Sequence, residues 1–279
     1  MRGFLDRIGL DECSTIFNDA RDAGFIRENT TSLIVHDLDR MRNRIEILHE
    51  TFPDSTLHTL AIKANPLVEV LRAAVDSGMG LEAASIEEVQ LAIAAGCQTA
   101  RVVFDSPAKT VDEIRAALEM GILINANSMD ELHRIGSQWI DDASNSQVGV
   151  RVNPELGTGT IAHTSVASRD SKFGIPMSSG RQEIIEAFTR YRWLTGLHVH
   201  VGSQGCELSM LVDAASKIDE LRKQIQEAAG RPVEFVDIGG GLPTVYLSDQ
   251  SPPSPRDYIG ELRRCVPDML DGSVELITE

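Results

Sequence analysis

Eight short apolar runs alternate with helix-length segments along this chain, and no other feature restricts its fold as strongly. The runs cover residues 58–64, 78–84, 100–106, 121–127, 147–153, 194–201, 234–240 and 274–279. Most segments between them repeat apolar residues at helical spacing, as in LVEVLRAAVDSG and SIEEVQLAIAAG. Strands that alternate with helices form right-handed βαβ units around a parallel sheet. Eight such units predict a (β/α)8 barrel.

Signals for helix starts occur in phase with these strands. Ser85, Thr110 and Ser128 each precede a glutamate by three residues, which is the spacing of a capping box. Asn65 followed by Pro66 predicts a further helix start directly after the first strand. The agreement between three capping signals and the strand pattern supports the barrel prediction.

The remaining segments complete the predicted organisation. SLIVHDLDRM is interpreted as a strand that leads into a helix. Residues 1–30 are predicted to form an N-terminal segment, and residues 31–279 the barrel domain. The stretch from Pro154 to Gly180 is rich in Gly, Ser and Thr, and a loop of that length is predicted to have a functional role.

Composition restricts the partners. The chain has 42 acidic and 26 basic residues, a net charge of −16, so we expect no nucleic-acid or anionic-membrane partner. No apolar run reaches the roughly 18 residues of a membrane span, and MRGFLDRIGLDE lacks a signal-peptide core. The four cysteines lack metal or disulfide spacing. We therefore expect a cytoplasmic protein without a metal site.

Polar residues cluster at the carboxyl ends of the predicted strands, where barrel enzymes have their active sites. The set comprises Lys63, Glu82, Arg151, Asn153, His198, His200, Ser203, Asp237 and Glu279. Strand alternation directs Arg151, His198 and His200 towards the barrel axis, and Lys63 shares the parity of the small Ala61. An amine, an imidazole, a guanidinium and a carboxylate are thus predicted to converge on one mouth of the barrel.

A glycine triplet adds a predicted phosphate site to this mouth. Gly239, Gly240 and Gly241 follow the seventh run, and residues without Cβ atoms let backbone N–H groups approach an anion. A phosphate anchor, an isolated lysine and an opposing acid together suggest pyridoxal 5′-phosphate (PLP). Lys63 would form its Schiff base, and Glu279 would keep the pyridine nitrogen protonated.

Structural interpretations of the same residues remain open at this stage. Taken alone, a lysine such as Lys63 is more often solvated or ion-paired, and a glycine triplet is usually a tight turn. For His198 a satisfied core histidine is the favoured interpretation, and Arg151 and Glu82 are candidates for an ion pair inside the barrel. Cys206 is interpreted as a buried filler thiol rather than a reactive one.

Six motifs resemble one enzyme family. AIKANP, RVNP, DSKFGI, LHVHVGSQ, DIGGGLP and ELITE are similar to motifs of the fold-III PLP-dependent decarboxylases, the group of diaminopimelate, ornithine and arginine decarboxylases. The resemblance covers roughly residues 30–279, and RVNP with SKFGI resembles the diaminopimelate branch in particular.

The resemblance implies a role for each matching residue. Lys63 corresponds to the PLP lysine, and His200 to the histidine that stacks on the cofactor. Ser203 and the glycine triplet correspond to the phosphate site. Glu279 corresponds to the partner of the pyridine nitrogen, and Glu82 to an acid near the Schiff base. Arg151 is expected among the cofactor-binding residues, and a homodimer is expected from the family alone.

Family members continue beyond the barrel into a C-terminal β domain that has no counterpart in this sequence. We therefore expect a fragment or a truncated product, and we expect an exposed sheet edge at the eighth strand. The leading hypothesis is PLP-dependent decarboxylation of an amino acid, with meso-2,6-diaminopimelate converted to lysine as the preferred reaction. The alternatives are a decarboxylase of a siderophore or antibiotic pathway, a non-catalytic PLP carrier and, more weakly, an alanine-racemase-like activity.

Overall fold

The computed structural model describes residues 8–141, 144–157, 167–168, 171–204, 206–245 and 251–279. In this part of the chain the α-helices are α1 Leu10–Asp22, α2 Leu38–Thr51, α3 Val68–Asp76, α4 Ile86–Ala94, α5 Val111–Met120, α6 Met129–Gln138, α7 Met177–Arg190, α8 Leu208–Ala229 and α9 Pro255–Cys265. The strands are β1 Leu57–Ala61, β2 Gly80–Ala83, β3 Val102–Phe104, β4 Leu123–Ala126, β5 Val148–Asn153, β6 Ile175–Pro176, β7 Leu194–Val199, β8 Phe235–Asp237 and β9 Glu275–Thr278.

The strands close into a parallel barrel, as predicted. Their order is β4-β3-β2-β1-β9-β8-β7-β5, and pairing between β4 and β5 completes the circle. The two-residue strand β6 lies outside the circle and pairs with β5 through Val152 and Ile175. Helices surround the barrel, so the (β/α)8 architecture is confirmed.

The prediction of an open edge at the eighth strand is wrong. Strand β9 pairs with β8 on one side, where Phe235 is in register with Glu275. On its other side it pairs with β1, where Leu57 is in register with Ile277. Because both rows of backbone groups on β9 have partners, the strand offers no free edge to another chain.

The barrel interior is apolar at its amino-terminal end and polar above it. The apolar layer consists of the buried side chains Leu57, Val103, Leu123, Phe235 and Ile277. The Phe235 ring fills the space beside Gly149 and Gly196, where a Cβ atom would collide with it. Small residues at these inward positions therefore make room for one large aromatic ring, and this packed layer forms the floor of the polar layer above it.

The helix-start predictions hold to different degrees. Thr110 forms the complete capping box with Glu113 at the start of α5. Ser85 and Ser128 each accept the N3 backbone N–H, but their glutamates bond elsewhere. The predicted start at Asn65 is wrong, because α3 begins at Val68, and the Asn65 side-chain Oδ1 accepts a bond from the Leu67 N–H just before that helix. A 3₁₀ turn at residues 62–64 occupies the space between β1 and this helix.

The predicted strand in SLIVHDLDRM is also wrong. Residues 32–36 carry no strand, although α2 begins at Leu38 with Asp37 as its N-cap. The apolar side chains of Ile34 and Val35 are exposed, because the closed barrel has no edge left for another strand. None of the helices in the described ranges has the length and apolar character that crossing a membrane requires.

Candidate active site

Lys63 lies at the mouth of the barrel and contacts Glu82. It stands in the 3₁₀ turn directly after β1, and its ammonium Nζ donates to Glu82 Oε2 at 2.9 Å. Glu82 is on the neighbouring strand β2, in register with Ala61. The Glu82 carboxylate is completely buried, whereas 55% of the Lys63 side chain is exposed. The amine is therefore held from below by a carboxylate and faces the open mouth.

The two groups shift each other's proton affinity. Burial and the nearby charge of Glu279 raise the pKa of Glu82 above its ordinary value. Burial alone would lower the pKa of Lys63, but the adjacent Glu82 carboxylate outweighs it and raises that pKa. The Lys63 amine thus carries a proton at neutral pH, and Glu82 is the nearest group that can accept it.

Arg151 pairs with Asp105, not with Glu82, so the predicted Arg151–Glu82 ion pair is wrong. Arg151 Nη1 lies 2.6 Å from Asp105 Oδ2, and both side chains are buried. The ring of Phe173 lies against the guanidinium, 4.7 Å from its Cζ. Asp105 directly follows β3, where strand-end reasoning would have found it. The guanidinium holds the pKa of Asp105 below its ordinary value although burial acts in the opposite direction.

His198 is not the satisfied core histidine that its sequence context favoured. Its side chain is completely buried, and no hydrogen-bond partner for Nε2 exists among the described residues. Nδ1 lies 3.2 Å from Asp237 Oδ2 and 3.8 Å from Glu279 Oε1. Burial alone would lower the pKa of His198, but the surrounding carboxylates raise it to about 9. His198 therefore belongs to the polar layer of the site.

Glu279, His200 and the glycine loop meet on the opposite side of the mouth. His200 Nδ1 lies 3.4 Å from Glu279 Oε2 and accepts a bond from the Gly240 N–H at 3.2 Å. Glu279 Oε1 is buried without a hydrogen-bond partner in the described structure. Burial acts to raise the pKa of Glu279, but His198 and His200 outweigh it and hold that pKa well below its usual range.

The glycine triplet packs so tightly that side chains do not fit. Gly239 has φ +65°, and a Cβ there would lie 2.6 Å from His200 Nδ1. A Cβ on Gly240 would lie 2.5 Å from the backbone oxygen of Glu279. Gly241 has φ +119° and faces the carbonyl of Gly202. The bare backbone of this loop is thus placed beside the imidazole and the carboxylate.

Ser203 lies on the loop after β7 and is exposed at this mouth. Its neighbour Gln204, which sequence reasoning missed, connects that loop to the loop after β8. Gln204 donates to the Thr244 carbonyl and accepts from the Thr244 N–H, both at 2.9 Å. Cys206 is buried, and burial raises the pKa of its thiol, which agrees with a filler role.

The segment SKFG folds over the barrel mouth. The Asn127 side chain donates to the Lys172 carbonyl at 3.1 Å and accepts from the Gly174 N–H at 2.9 Å. Asn153 donates to the Ser168 carbonyl at 2.9 Å and accepts from the Glu155 N–H at 3.0 Å, so this residue supports the long loop. The loop residues 158–166 and 169–170 lie outside the described structure, and with them part of the sequence motif DSKFGI.

A buried ion pair that the sequence did not indicate supports the site from outside. Lys109 is 1% exposed and Glu131 equally so. Lys109 Nζ donates to Glu131 Oε2 at 3.0 Å and to the Asn125 carbonyl at 2.8 Å. Glu131 also accepts the Asn127 N–H at 2.6 Å. The pair thereby fixes the end of β4, whose Asn125 side chain lies 2.8 Å from His198 Nδ1.

Two curated proteins illustrate the similarity to known sequences. The diaminopimelate decarboxylase of Zymomonas mobilis is 30% identical over 227 residues, which is 80% of this chain and 53% of the relative. The diaminopimelate decarboxylase of Haemophilus influenzae is 32% identical over 204 residues, which is 72% of this chain and 49% of the relative. The chain spans about half the length of these curated relatives.

Solved structures and a family model show the same similarity to decarboxylases. The structure of Helicobacter pylori diaminopimelate decarboxylase complexed with L-lysine matches with a TM-score of 0.80 and 25% identity, covering 94% of this chain and 65% of that one. The family model described as the pyridoxal-dependent decarboxylase, pyridoxal binding domain, matches residues 38–279. The resemblance seen in the motifs is confirmed, as is the expected cofactor, PLP. This chain belongs to the pyridoxal-dependent decarboxylase family.

Proposed function

We propose that this chain is the PLP-holding barrel of an amino-acid decarboxylase whose substrate is meso-2,6-diaminopimelate. The observation that carries the proposal is the convergence of two pairs on one barrel mouth. The Lys63–Glu82 pair lies at the ends of β1 and β2, and the His200–Glu279 pair lies beside the glycine loop. An amine nucleophile, a buried carboxylate and an anion cradle are the groups that this cofactor requires.

The residues of the site fit PLP. Glu279 Oε1 is buried and has no hydrogen-bond partner in the described structure, as expected of an acceptor reserved for a protonated ring nitrogen. The loop of Gly239, Gly240 and Gly241 leaves no room for side chains, as expected where backbone N–H groups bind a phosphate. Lys63 is exposed towards the mouth and accessible to an aldehyde.

We assign the roles of the site residues accordingly. Lys63 would hold the cofactor covalently, and Ser203 with the glycine loop would bind its phosphate. His200 would contact the cofactor ring, and the Gly240 N–H fixes the orientation of the imidazole. When bound, PLP would supply an electron sink for the bond that breaks at the substrate α-carbon.

The protein's own groups control protons and charge. Glu82 accepts the Lys63 proton, because the two side chains are hydrogen-bonded and Glu82 has a raised pKa. Glu279 stabilises positive charge at the ring nitrogen, because its carboxylate stays ionised in a buried position. Arg151 forms an ion pair with Asp105, so that the Asp105 carboxylate is not left as a further unpaired charge inside the barrel.

The substrate assignment rests on similarity. The two relatives at 30% and 32% identity are both diaminopimelate decarboxylases, and the Helicobacter pylori structure contains L-lysine. The SKFG segment that the sequence associates with this branch lies at the mouth of the barrel. We further propose a homodimer located in the cytoplasm, and a domain boundary near residue 30, just before the family match at residue 38.

A radiolabel assay tests the reaction and its substrate. Full-length protein containing this barrel is loaded with PLP and incubated with carboxyl-labelled meso-2,6-diaminopimelate, L-lysine, L-ornithine or L-arginine, and released CO2 is trapped. Release from diaminopimelate at the highest rate supports the proposal. Preferential release from another amino acid contradicts the substrate assignment. Absence of release from all four, with PLP demonstrably bound, favours the non-catalytic carrier instead.

A further inference from the structure

The polar layer beneath the barrel mouth contains more buried carboxylates than permanent cations. Its acids are Glu82, Asp105, Asp237 and Glu279, and its permanent cations are Lys63 and Arg151. Lys63 is matched by Glu82 and Arg151 by Asp105. Among the described residues no lysine or arginine forms an ion pair with Asp237 or Glu279, and an unpaired buried carboxylate is costly.

His198 is placed between those two carboxylates. Its Nδ1 lies 3.2 Å from Asp237 Oδ2 and 3.8 Å from Glu279 Oε1. On the other side of the ring, Nε2 lies 3.8 Å from Asp105 Oδ2. The Asn125 amide nitrogen lies 2.8 Å from Nδ1 and donates to Asp237 Oδ2 at 3.3 Å, whereas its oxygen has no partner in the described structure. Rotation of this amide by 180° would bring the oxygen to a protonated Nδ1 as an acceptor. Carboxylates thus face both ring nitrogens, and Arg151 on the neighbouring strand is engaged by Asp105.

We propose that His198 is a buried imidazolium that positions Glu279 in its ionised form for the cofactor's ring nitrogen. With His198 charged, one cation lies between the carboxylates of Asp237 and Glu279 and favours the ionised form of Glu279, although burial raises the pKa of Asp237. A protonated ring nitrogen at Glu279 would add a second cation beside this pair. The pairing of Glu279 with a cofactor ring nitrogen rests on the proposed function. The charge of His198 in the cofactor-free chain does not. His198 acts through Glu279 and is a positioning residue.

Nitrogen NMR of the cofactor-free chain tests the charge directly. In protein labelled on histidine nitrogens, His198, assigned by the loss of its signals in His198→Gln, should have both ring nitrogens protonated at pH 7.5. His58 is an internal reference, because it is also buried but its Nδ1 contacts the Thr278 hydroxyl, and burial together with His49 lowers its pKa to about 4. A neutral His198 ring at pH 7.5 would overturn the proposal.

The electrostatic coupling between His198 and Glu279 is tested by removing the Glu279 charge and measuring the titration of His198. Glu279→Gln should lower the titration midpoint of His198 by at least about one pH unit, a tenfold loss of proton affinity. The control Glu275→Gln, at the start of β9, should leave the midpoint unchanged. An equal midpoint in Glu279→Gln and in the unmodified chain would contradict the proposal.

Addition of PLP separates this inference from the proposed function. Once a positive ring nitrogen occupies Glu279, the His198 midpoint should fall by about one unit for the same reason. If PLP binds and the His198 signals do not move, the inference is wrong and the cofactor assignment survives. If PLP does not bind while His198 is charged and coupled to Glu279, the cofactor assignment fails instead.

Discussion

Lys63 Nζ and Glu82 Oε2 are 2.9 Å apart, and this contact joins an accessible amine to a carboxylate that is completely buried. The contact affects the reactivity of the Lys63 amine in two opposite ways. It keeps the lysine protonated, and it provides the base that can take the proton away. The nucleophile of the site is thus regulated by its neighbour on β2.

Replacing the carboxylate should make the amine reactive at lower pH. In Glu82→Gln the charge that raises the pKa of Lys63 is lost, and burial, which lowers that pKa, becomes dominant. We expect the pH midpoint for acetylation of Lys63, measured by mass spectrometry, to fall by at least about one unit. The surface variant Glu261→Gln serves as the control. An unchanged midpoint in Glu82→Gln would refute the electrostatic link between the two residues.

The glycine loop should tolerate no methyl group. Gly239→Ala forces an L-residue into φ +65° and places Cβ against His200, so we expect a loss of roughly 1–3 kcal/mol in unfolding free energy. PLP affinity should fall by about tenfold or more, equivalent to at least about 1.4 kcal/mol. Urea unfolding and absorbance titration measure the two effects.

A matched substitution controls for glycine itself. Gly260 lies inside α9 with open space around the position of a Cβ atom. Gly260→Ala should raise the unfolding free energy by up to about 1 kcal/mol, because alanine is the better helix former. PLP affinity should not change. Equal PLP affinities in the Gly239 and Gly260 variants would argue against the glycine loop as a phosphate site.

Removing one partner of the buried Lys109–Glu131 pair should lower the unfolding free energy more than neutralising both partners. Lys109→Met leaves the Glu131 carboxylate buried without its cation, so we expect a loss of about 3–5 kcal/mol in urea unfolding. Adding Glu131→Gln should restore part of that loss. Arg115→Met, which breaks an exposed pair with Asp112, should cost less than about 1 kcal/mol. Additive losses in the double variant would show that the two buried charges do not interact.

Acid should destabilise the barrel partly through His58. Burial and the charge of His49 lower its pKa from the ordinary value of 6.5 to about 4. The unfolded chain therefore binds the His58 proton more readily, and stability falls as the pH drops from 6.5 towards 4, by an amount on the order of 3 kcal/mol. His58→Gln should flatten this part of the stability profile relative to the unmodified chain. Parallel profiles over that pH window would contradict the assignment of the acid loss to His58.

Local sequence patterns predicted the barrel because each strand and helix start is encoded within a few residues. Lys63, His200 and Glu279 were found because they stand at strand ends, where the fold itself determines their convergence. The partner of Arg151 was not predicted, since Asp105 is 46 residues away and its choice over Glu82 depends on side-chain reach across the barrel. Asp105 also stands at a strand end, directly after β3, so the same rule could have identified it as a site residue.

Other features depend on the closed fold and have no local signal. Leu33, Ile34 and Val35 have strand-like composition, but the barrel is complete without them and they remain exposed. The link between Gln204 and Thr244 arises only because two loops distant in sequence become neighbours. His198 looked like a core histidine because the charges around it come from three other strands or strand ends.

The most direct test of the cofactor site is the absorbance spectrum of the purified chain with added PLP, followed by borohydride reduction and peptide mapping. We expect a band at about 420 nm that collapses on reduction and leaves the pyridoxyl mass on Lys63. The control Lys223→Met should behave identically, and Lys63→Ala should show no such band. A 420 nm band that persists in Lys63→Ala, or a pyridoxyl group on another lysine, would contradict the assignment of Lys63 and with it the proposed site.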